Sequence, residues 1–222
     1  MPVITIERKV LQKNDDIAQD NRHFFQYNRI FTVNLVSSPG SGKTTLLEKT
    51  LQQLAHRLSI AVIEGDVQTD RDAQRIARHR VPVVQIVTQG GCHLDAGLVR
   101  DAVQKMALKD VQVLFIENVG NLVCPANYDL GEDLKAIIMS TTEGDDKPLK
   151  YPHMFRASRI CIINKVDLLP YVDFSIQNLT QNALQVNPAL VFIELSAKTG
   201  QGIEGWIDWV LREYTSRYPG AA

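Results

Sequence analysis

Seven short apolar runs punctuate the chain: Phe31 to Val36, Ser59 to Glu64, Val83 to Val87, Gln112 to Glu117, Lys135 to Met139, Arg159 to Asn164 and Val191 to Leu195. They are rich in Val and Ile and show little polar alternation, the pattern of strands buried on both faces of a parallel sheet. The segments Lys43 to His56, Leu94 to Ala107, Phe174 to Val186 and Ile203 to Arg217 carry apolar residues at helical spacing instead. Strand and helix in alternation predict an α/β fold, a mostly parallel seven-stranded sheet flanked by helices. Two stretches break the rhythm. Asn14 to Tyr27 reads as a polar helix with Ile17, Phe24 and Phe25 as its apolar positions. Residues 1–30 are therefore expected to be an N-terminal extension whose helix packs on a domain spanning 31–218. Thr142 to Pro152 is polar, contains Gly144, Pro148 and Pro152, and predicts an exposed loop.

Composition narrows the class. The chain has 222 residues, 45% hydrophobic and 22% charged, which suits one compact domain. A net charge of −1, from 24 basic and 25 acidic residues, argues against a protein held to nucleic acid by bulk electrostatics. No apolar run approaches the roughly 20 residues that span a bilayer, and Met1 to Arg8 lacks the apolar core of a secretory signal. A cytoplasmic protein, not bound to membrane, is expected. Three cysteines, Cys92, Cys124 and Cys161, are an odd number and predict no disulfide framework. Cys161, inside an apolar run, belongs to the core; His56 and His79, in polar helical patterns, belong to the surface.

The first run ends in Ser37-Ser38-Pro39-Gly40-Ser41-Gly42-Lys43-Thr44-Thr45 and a helix follows. This is a P-loop with one departure, Ser37 where the pattern has Gly. Gly40 and Gly42 let backbone N–H groups, with those of Ser41 and Thr45, turn onto a β-phosphate at a helix N-terminus. Lys43 reaches the β and γ oxygens, and Thr44 offers its hydroxyl to Mg²⁺. A Gly/Ser turn that merely connects strand to helix is the alternative, and the strand, loop and helix context speaks against it. Further on, Asn164-Lys165-Val166-Asp167 follows an apolar run, where the carboxyl edge of a parallel sheet puts ligand loops. Guanine offers two donors on one edge, N1–H and the 2-amino group, and one carboxylate can accept both. Asp167 thus selects guanine, Lys165 can lie along the purine face, and Asn164 can tie this loop to the P-loop. Ser196-Ala197-Lys198, after the last run, can direct a backbone N–H at guanine O6.

Between these lie the candidates for sensing the γ-phosphate. Glu117-Asn118-Val119-Gly120 stands where Asp-x-x-Gly is common, with Gly120 able to give its N–H to the γ-phosphate. Glu117 and Asp66 are candidates for Mg²⁺ or for orienting the attacking water, and Asp70 and Asp72 follow on a polar segment. For Asp70 and Asp72 a helix-capping cluster is an equal alternative. Beside them, Cys92-His93 precedes a helix and Cys124 lies four residues beyond Gly120. Thiolate and imidazole suit Zn²⁺ and Ni²⁺, and three ligands fall one short of the usual four, a count that two chains sharing the site would meet. Buried small hydrophobes and a helix-capping His93 are the alternative that composition alone leaves open.

The P-loop, the Gly65-Asp66-Val67-Gln68-Thr69-Asp70-Arg71-Asp72 segment, Cys92-His93-Leu94-Asp95-Ala96 and the run from Glu117 to Ala126 together resemble the HypB family, the GTPases that help insert nickel during hydrogenase maturation. The resemblance extends from about Asp15 to Trp209. It implies a P-loop GTPase fold and a cycle on GTP with Mg²⁺, with Lys43, Asp66 and Glu117 as its catalytic residues. It also implies a nucleotide-dependent homodimer that holds Ni²⁺ or Zn²⁺ through Cys92, His93 and Cys124 at its interface. Implied partners are a small zinc-containing nickel metallochaperone (HypA) and the hydrogenase large-subunit precursor. Met1 to Asn14 has neither Cys nor His, so nickel storage on a Cys-rich or His-rich leader, as in some members, is not expected. A urease-type nickel accessory GTPase is the runner-up, although its metal signature reads Cys-Pro-His. A GTP-gated dimerising scaffold with negligible hydrolysis is the third reading.

Overall fold

A computed structural model describes residues 6–68 and 71–220. Asp70 and residues 1–5, part of the segment read for a secretory signal, lie outside them. Seven strands form: β1 (Phe31–Ser37), β2 (Ile60–Asp66), β3 (Val83–Val87), β4 (Val113–Glu117), β5 (Leu134–Ser140), β6 (Ser158–Asn164) and β7 (Val191–Glu194). They pair in the order β3-β2-β4-β1-β5-β6-β7, every pair parallel. The helices are α1 (Ile6–Tyr27), α2 (Lys43–Leu54), α3 (Arg71–Ala77), α4 (Ala96–Gln104), α5 (Lys147–Lys150), α6 (Pro152–Ala157), α7 (Ile176–Val186) and α8 (Ile203–Arg217). Among the described residues no helix is long and apolar enough to cross a membrane.

The pleat explains why the strands are apolar throughout. Val33, Leu35, Val62 and Phe115 point to one face, where Leu46, Leu51, Trp206 and Val210 of α2 and α8 cover them. Ala61, Ile63, Leu114 and Ile116 point to the other, onto Phe25, Val99 and Ala102 of α1 and α4. On that second face Ile137, Cys161 and Ile163 meet Phe155 and Leu179 of α6 and α7. Cys161 is fully buried, and burial pushes its thiol pKa up. His56 is exposed and His79 half-buried.

Two expectations need correcting. The first helix starts eight residues before Asn14, and its buried stripe is Asn14, Ala18, Asn21 and Phe25, whereas Phe24 is 41% exposed. Two side-chain amides do what apolar residues were expected to do, because they bond backbone that would otherwise be buried unpaired. The stretch from Thr142 to Pro152 is no exposed loop: it winds into α5 and the start of α6, and Pro148 is buried. Beyond Asp66, Asp72 lies in the first turn of α3 and pairs with Arg75.

Candidate functional site

All seven strands point their carboxyl ends the same way, so the loops that follow β1, β2, β3, β4 and β6 open on one edge. The P-loop between β1 and α2 lines a cavity of about 480 Å³ together with Asp66, Asp72, Arg75, Glu117, Asn118, Val119 and Gly120. Gly42 has φ of +94°, and a Cβ there would lie 2.6 Å from Asn164 Nδ2, so only glycine fits the turn into α2. Lys43 donates to Ser37 Oγ at 2.9 Å, which gives the departure at Ser37 a local role. Gly120 packs against Pro39 of the P-loop.

A carboxylate pair forms the floor. Glu64 and Glu117 sit opposite each other in the β2–β4 register, on the α2 face, 1% and 5% exposed. Glu117 Oε1 accepts from Thr44 Oγ1 at 2.8 Å. Glu64 Oε1 and Glu117 Oε2 are buried and receive no donor from any other described residue, the two carboxyls sharing a hydrogen bond with each other. Burial and the neighbouring Glu117 push the Glu64 carboxyl up to about 10, and burial raises Glu117 against the pull of Lys43 and Thr44. Two buried carboxyls that share a proton, beside a threonine hydroxyl, become the donor set a hard divalent cation takes once the cation displaces that proton, so the residues present fit Mg²⁺. Asp66 is half-buried and lines the same cavity, its Oδ1 accepting from Gln68 N at 2.8 Å.

Pattern reading missed Glu64, whose signal is a charge inside an apolar strand. It also missed Arg75, which lines the phosphate cavity and is held by Glu48 at 2.5 Å and Asp72 at 3.1 Å. The third omission lies in the stretch expected to be loose. Glu143 accepts from Ser41 Oγ at 2.7 Å and pairs with Lys147 at 2.8 Å, while Lys147 donates to Ser38 Oγ at 2.8 Å. These two residues brace the P-loop from behind. Burial works against ionisation of Glu143, but Lys147, Ser41 and Ser38 outweigh it and hold the carboxyl below its usual range.

A second cavity of about 230 Å³ adjoins the first through Gly42 and Thr45 and is lined by Asn164, Lys165, Asp167, Leu168, Ala197 and Lys198. Asn164 is the hub: it donates to Ser41 O at 2.8 Å and accepts from Lys165 N at 2.8 Å and Ala197 N at 3.0 Å. It joins the P-loop, the Lys165 loop and the Ser196 loop. The Ala197 N–H is thereby committed to Asn164, so within Ser196-Ala197-Lys198 the N–H that could meet a base is that of Lys198. Lys165 Nζ reaches Gly40 O at 2.7 Å, so its stem lines the cavity. Asp167 Oδ1 is buried there without a hydrogen-bond partner among the described residues, an acceptor that points to a ligand with N–H donors.

Beside the phosphate cavity, Cys92, His93 and Cys124 come together, with one ligand atom of each within 4.8 Å of the others. The two thiols are 2.6 Å apart, and Cys92 Sγ lies 3.6 Å from His93 Nδ1. All three residues are half-buried, and Asp95, not His93, caps α4 by accepting from Leu98 N. The Cys124 hydrogen bond raises the Cys92 thiol; burial lowers His93, which favours the neutral imidazole that ligates metals. The pleat also links this cluster to the nucleotide side. Glu117 faces α2, and Asn118, whose N–H continues the ladder to Leu35 O, faces the other way. Asn118 Oδ1 accepts from Leu94 N at 3.2 Å, next to His93, and from Val119 N at 3.0 Å. Its Nδ2 continues to Asn34, which donates to Glu132, and Glu132 accepts from Leu130 N.

A P-loop at the carboxyl edge of a parallel sheet, an adjoining cavity walled by Asp167 and a buried carboxylate pair beside Thr44 define a P-loop nucleotide-binding protein with the GTPase fold. The thiol–imidazole cluster beside it narrows the class further. The chain belongs to the CobW/HypB/UreG nucleotide-binding domain family, whose model matches residues 31–194. It is 52% identical to a hydrogenase maturation factor HypB from Rhizobium leguminosarum bv. viciae over 94% of this chain and 70% of the relative. It is 40% identical to a hydrogenase/urease maturation factor HypB from Helicobacter hepaticus, over 97% of this chain and 90% of the other. The fold superposes on the crystal structure of HypB from Helicobacter pylori in complex with nickel with a TM-score of 0.87 and 35% identity, covering 93% of this chain and 97% of that one.

Proposed function

We propose that the protein is a Mg²⁺-dependent GTPase that carries nickel or zinc between two copies of itself and assists nickel insertion during [NiFe]-hydrogenase maturation in the cytoplasm. The observation that supports this most is the clustering of Cys92, His93 and Cys124 within 4.8 Å on loops that share the nucleotide edge. Asp167 takes the two guanine donors, Lys165 covers the ring, and Lys198 N–H meets O6. Gly40, Ser41, Gly42 and Thr45 cradle the phosphates at the start of α2, where the helix dipole favours negative charge. Lys43 leaves Ser37 Oγ for the β and γ oxygens. Thr44, Asp66 and Glu117 would hold Mg²⁺, which neutralises charge on the transferring phosphoryl group. Gly120 senses the γ-phosphate, and Asp66 orients water.

The cargo metal takes the two thiolates and the imidazole of each chain, and a second copy completes the coordination. A small zinc-containing metallochaperone and the hydrogenase large-subunit precursor are the partners this reading implies. A urease-type role is the second reading, favoured by the name of the Helicobacter hepaticus relative, which couples both pathways. A GTP-gated scaffold with negligible turnover is separated from both by single-turnover hydrolysis with and without partner. The test of the site is a Ni²⁺ titration followed by thiolate-to-metal charge-transfer absorption. Cys124→Ala should abolish the band; a band that survives in the Cys92→Ala/Cys124→Ala protein would remove the site.

A further inference from the structure

The loops that carry Cys92-His93 and Cys124 leave different strands, and a preformed site needs something to fix the distance between them. Asn14 is 6% exposed; its Oδ1 accepts from Ala96 N at 2.9 Å and its Nδ2 donates to Asp129 O at 2.9 Å. Two helical turns on, Asn21 is 5% exposed and donates from one Nδ2 to both Ala96 O and Leu130 O, each at 2.9 Å. Helix α1 thus grips both polar groups of Ala96, three residues after His93, and the consecutive carbonyls of Asp129 and Leu130, five and six residues after Cys124.

Other contacts press the same turn onto the helix. Arg22 Nη2 reaches both Asp129 oxygens at 2.7 Å. Gly131, at φ +90°, lies so close that a Cβ there would sit 2.6 Å from Ala18 O. On the far side the His93 and Tyr128 rings lie with centroids 3.8 Å apart, which joins the two loops again next to the ligands. An amide is the side chain this task needs. It has both a donor and an acceptor, it is neutral when buried, and each half can bond a different chain segment.

We infer that Asn14 and Asn21 are positioning residues for the metal site: they act as a clamp, carried on α1, that holds the Cys92-His93 loop and the Cys124 loop at ligating distance. This rests on the metal-site reading above, but the clamp itself is a statement about loop spacing and can be tested without metal. Preorganised ligands bind more tightly because less freedom is lost on binding. Loosening the clamp should therefore lower metal affinity while leaving the nucleotide site, which α1 does not line, as it was.

The experiment uses the full chain and the variants Asn14→Ala, Asn21→Ala and Asn14→Asp. Dibromobimane, which fluoresces only after bridging two thiols, reports Cys92–Cys124 proximity in metal-free protein; Cys161 is buried. Competition with a chromophoric chelator reports Ni²⁺ affinity, and the charge-transfer band reports ligation. The expected result is at least threefold slower bridging with unchanged single-thiol alkylation. Ni²⁺ affinity should fall at least tenfold and the band should shift, while GDP affinity stays within twofold. Asn14→Asp keeps the acceptor for Ala96 N but turns a carboxylate onto Asp129 O, so it should behave like Asn14→Ala. Bridging and affinity at the unaltered level would overturn the clamp, as would full rescue by Asn14→Asp, which would reduce Asn14 to a cap on α4. Equal loss of nucleotide and metal binding would overturn it too. Unaltered protein whose thiols bridge but take up no Ni²⁺ would leave the clamp standing and sink the metal-site reading instead.

Discussion

Replacing Asp167 by Asn tests the base pocket with the smallest change in shape. Asp167 Oδ1 is buried and unpaired among the described residues, on the wall of a cavity that adjoins the P-loop. Hydrogen bonds to a charged group contribute about 1.5 to 3 kcal/mol each, so two guanine donors on one carboxylate are worth about 3 to 6 kcal/mol. The amide retains one acceptor, worth about 1 kcal/mol, and turns an N–H toward the second guanine donor. The net loss for GTP is then about 2 to 5 kcal/mol, or roughly 30-fold to several thousand-fold in affinity. Xanthine carries an oxygen where guanine carries the 2-amino group, so the same N–H that repels GTP pairs with XTP. The assay is competition of GTP, XTP and ATP against a fluorescent GDP analogue in both proteins. A reversal of preference from GTP to XTP is expected. Equal affinities for GTP and ATP in the unaltered protein, or an Asp167→Asn variant that still prefers GTP, would refute the assignment of the pocket.

Lys43→Ala should suppress single-turnover hydrolysis by at least 100-fold with circular dichroism unchanged, since the hydrogen bond its Nζ makes among the described residues is to Ser37 Oγ of the loop itself. Arg75→Ala should lower turnover more than nucleotide affinity, because Arg75 lines the phosphate cavity and not the base cavity. Asn118→Ala removes acceptors for Leu94 N and Val119 N, and should bring the ratio of Ni²⁺ affinities in the GDP and GTP forms toward one, measured by chelator competition. Asp129 is held below its usual range, because the Arg22 hydrogen bond, the Gly131 N–H and the Arg22 charge together outweigh the cost of burial. A depressed carboxylate contributes stability above its unfolded pKa, near 3.9, and loses it as pH falls through the folded value. With both side chains over a third exposed, the pair is worth at most about 1 kcal/mol. Asp129→Asn should flatten the acid unfolding curve only below about pH 4, followed by far-ultraviolet circular dichroism.

The strands were legible because burial on both faces leaves an unbroken apolar run, and all seven appear within one or two residues of the expected bounds. The P-loop and the Asn164 loop were legible because backbone geometry and donor chemistry demand those residues at that spacing. What stayed hidden depends on tertiary contact. Asn14 and Asn21 look like solvated helix positions until their partners Ala96, Asp129 and Leu130 arrive from distant segments. Glu143 and Lys147 look like loop charges because Ser38 and Ser41 are a hundred residues away in the chain. Glu64 becomes part of the site only through its register with Glu117 on a neighbouring strand.

One set of loops is expected to join nucleotide to metal. Gly120 and Cys124 are four residues apart, separated by at most about 13 to 14 Å of extended chain, and Asn118 adds a bond from the same segment to Leu94 beside His93. A γ-phosphate that draws Gly120 inward must then move the ligands, and linkage requires metal to shift nucleotide affinity by the same factor, typically about 5 to 150-fold. The decisive measurement is Ni²⁺ affinity with GDP and with a non-hydrolysable GTP analogue at matched protein concentration, with oligomer mass read in parallel. Affinities that differ by at least fivefold and a dimer fraction that changes with nucleotide are expected. Identical affinities and identical dimer fractions in the two states would contradict it.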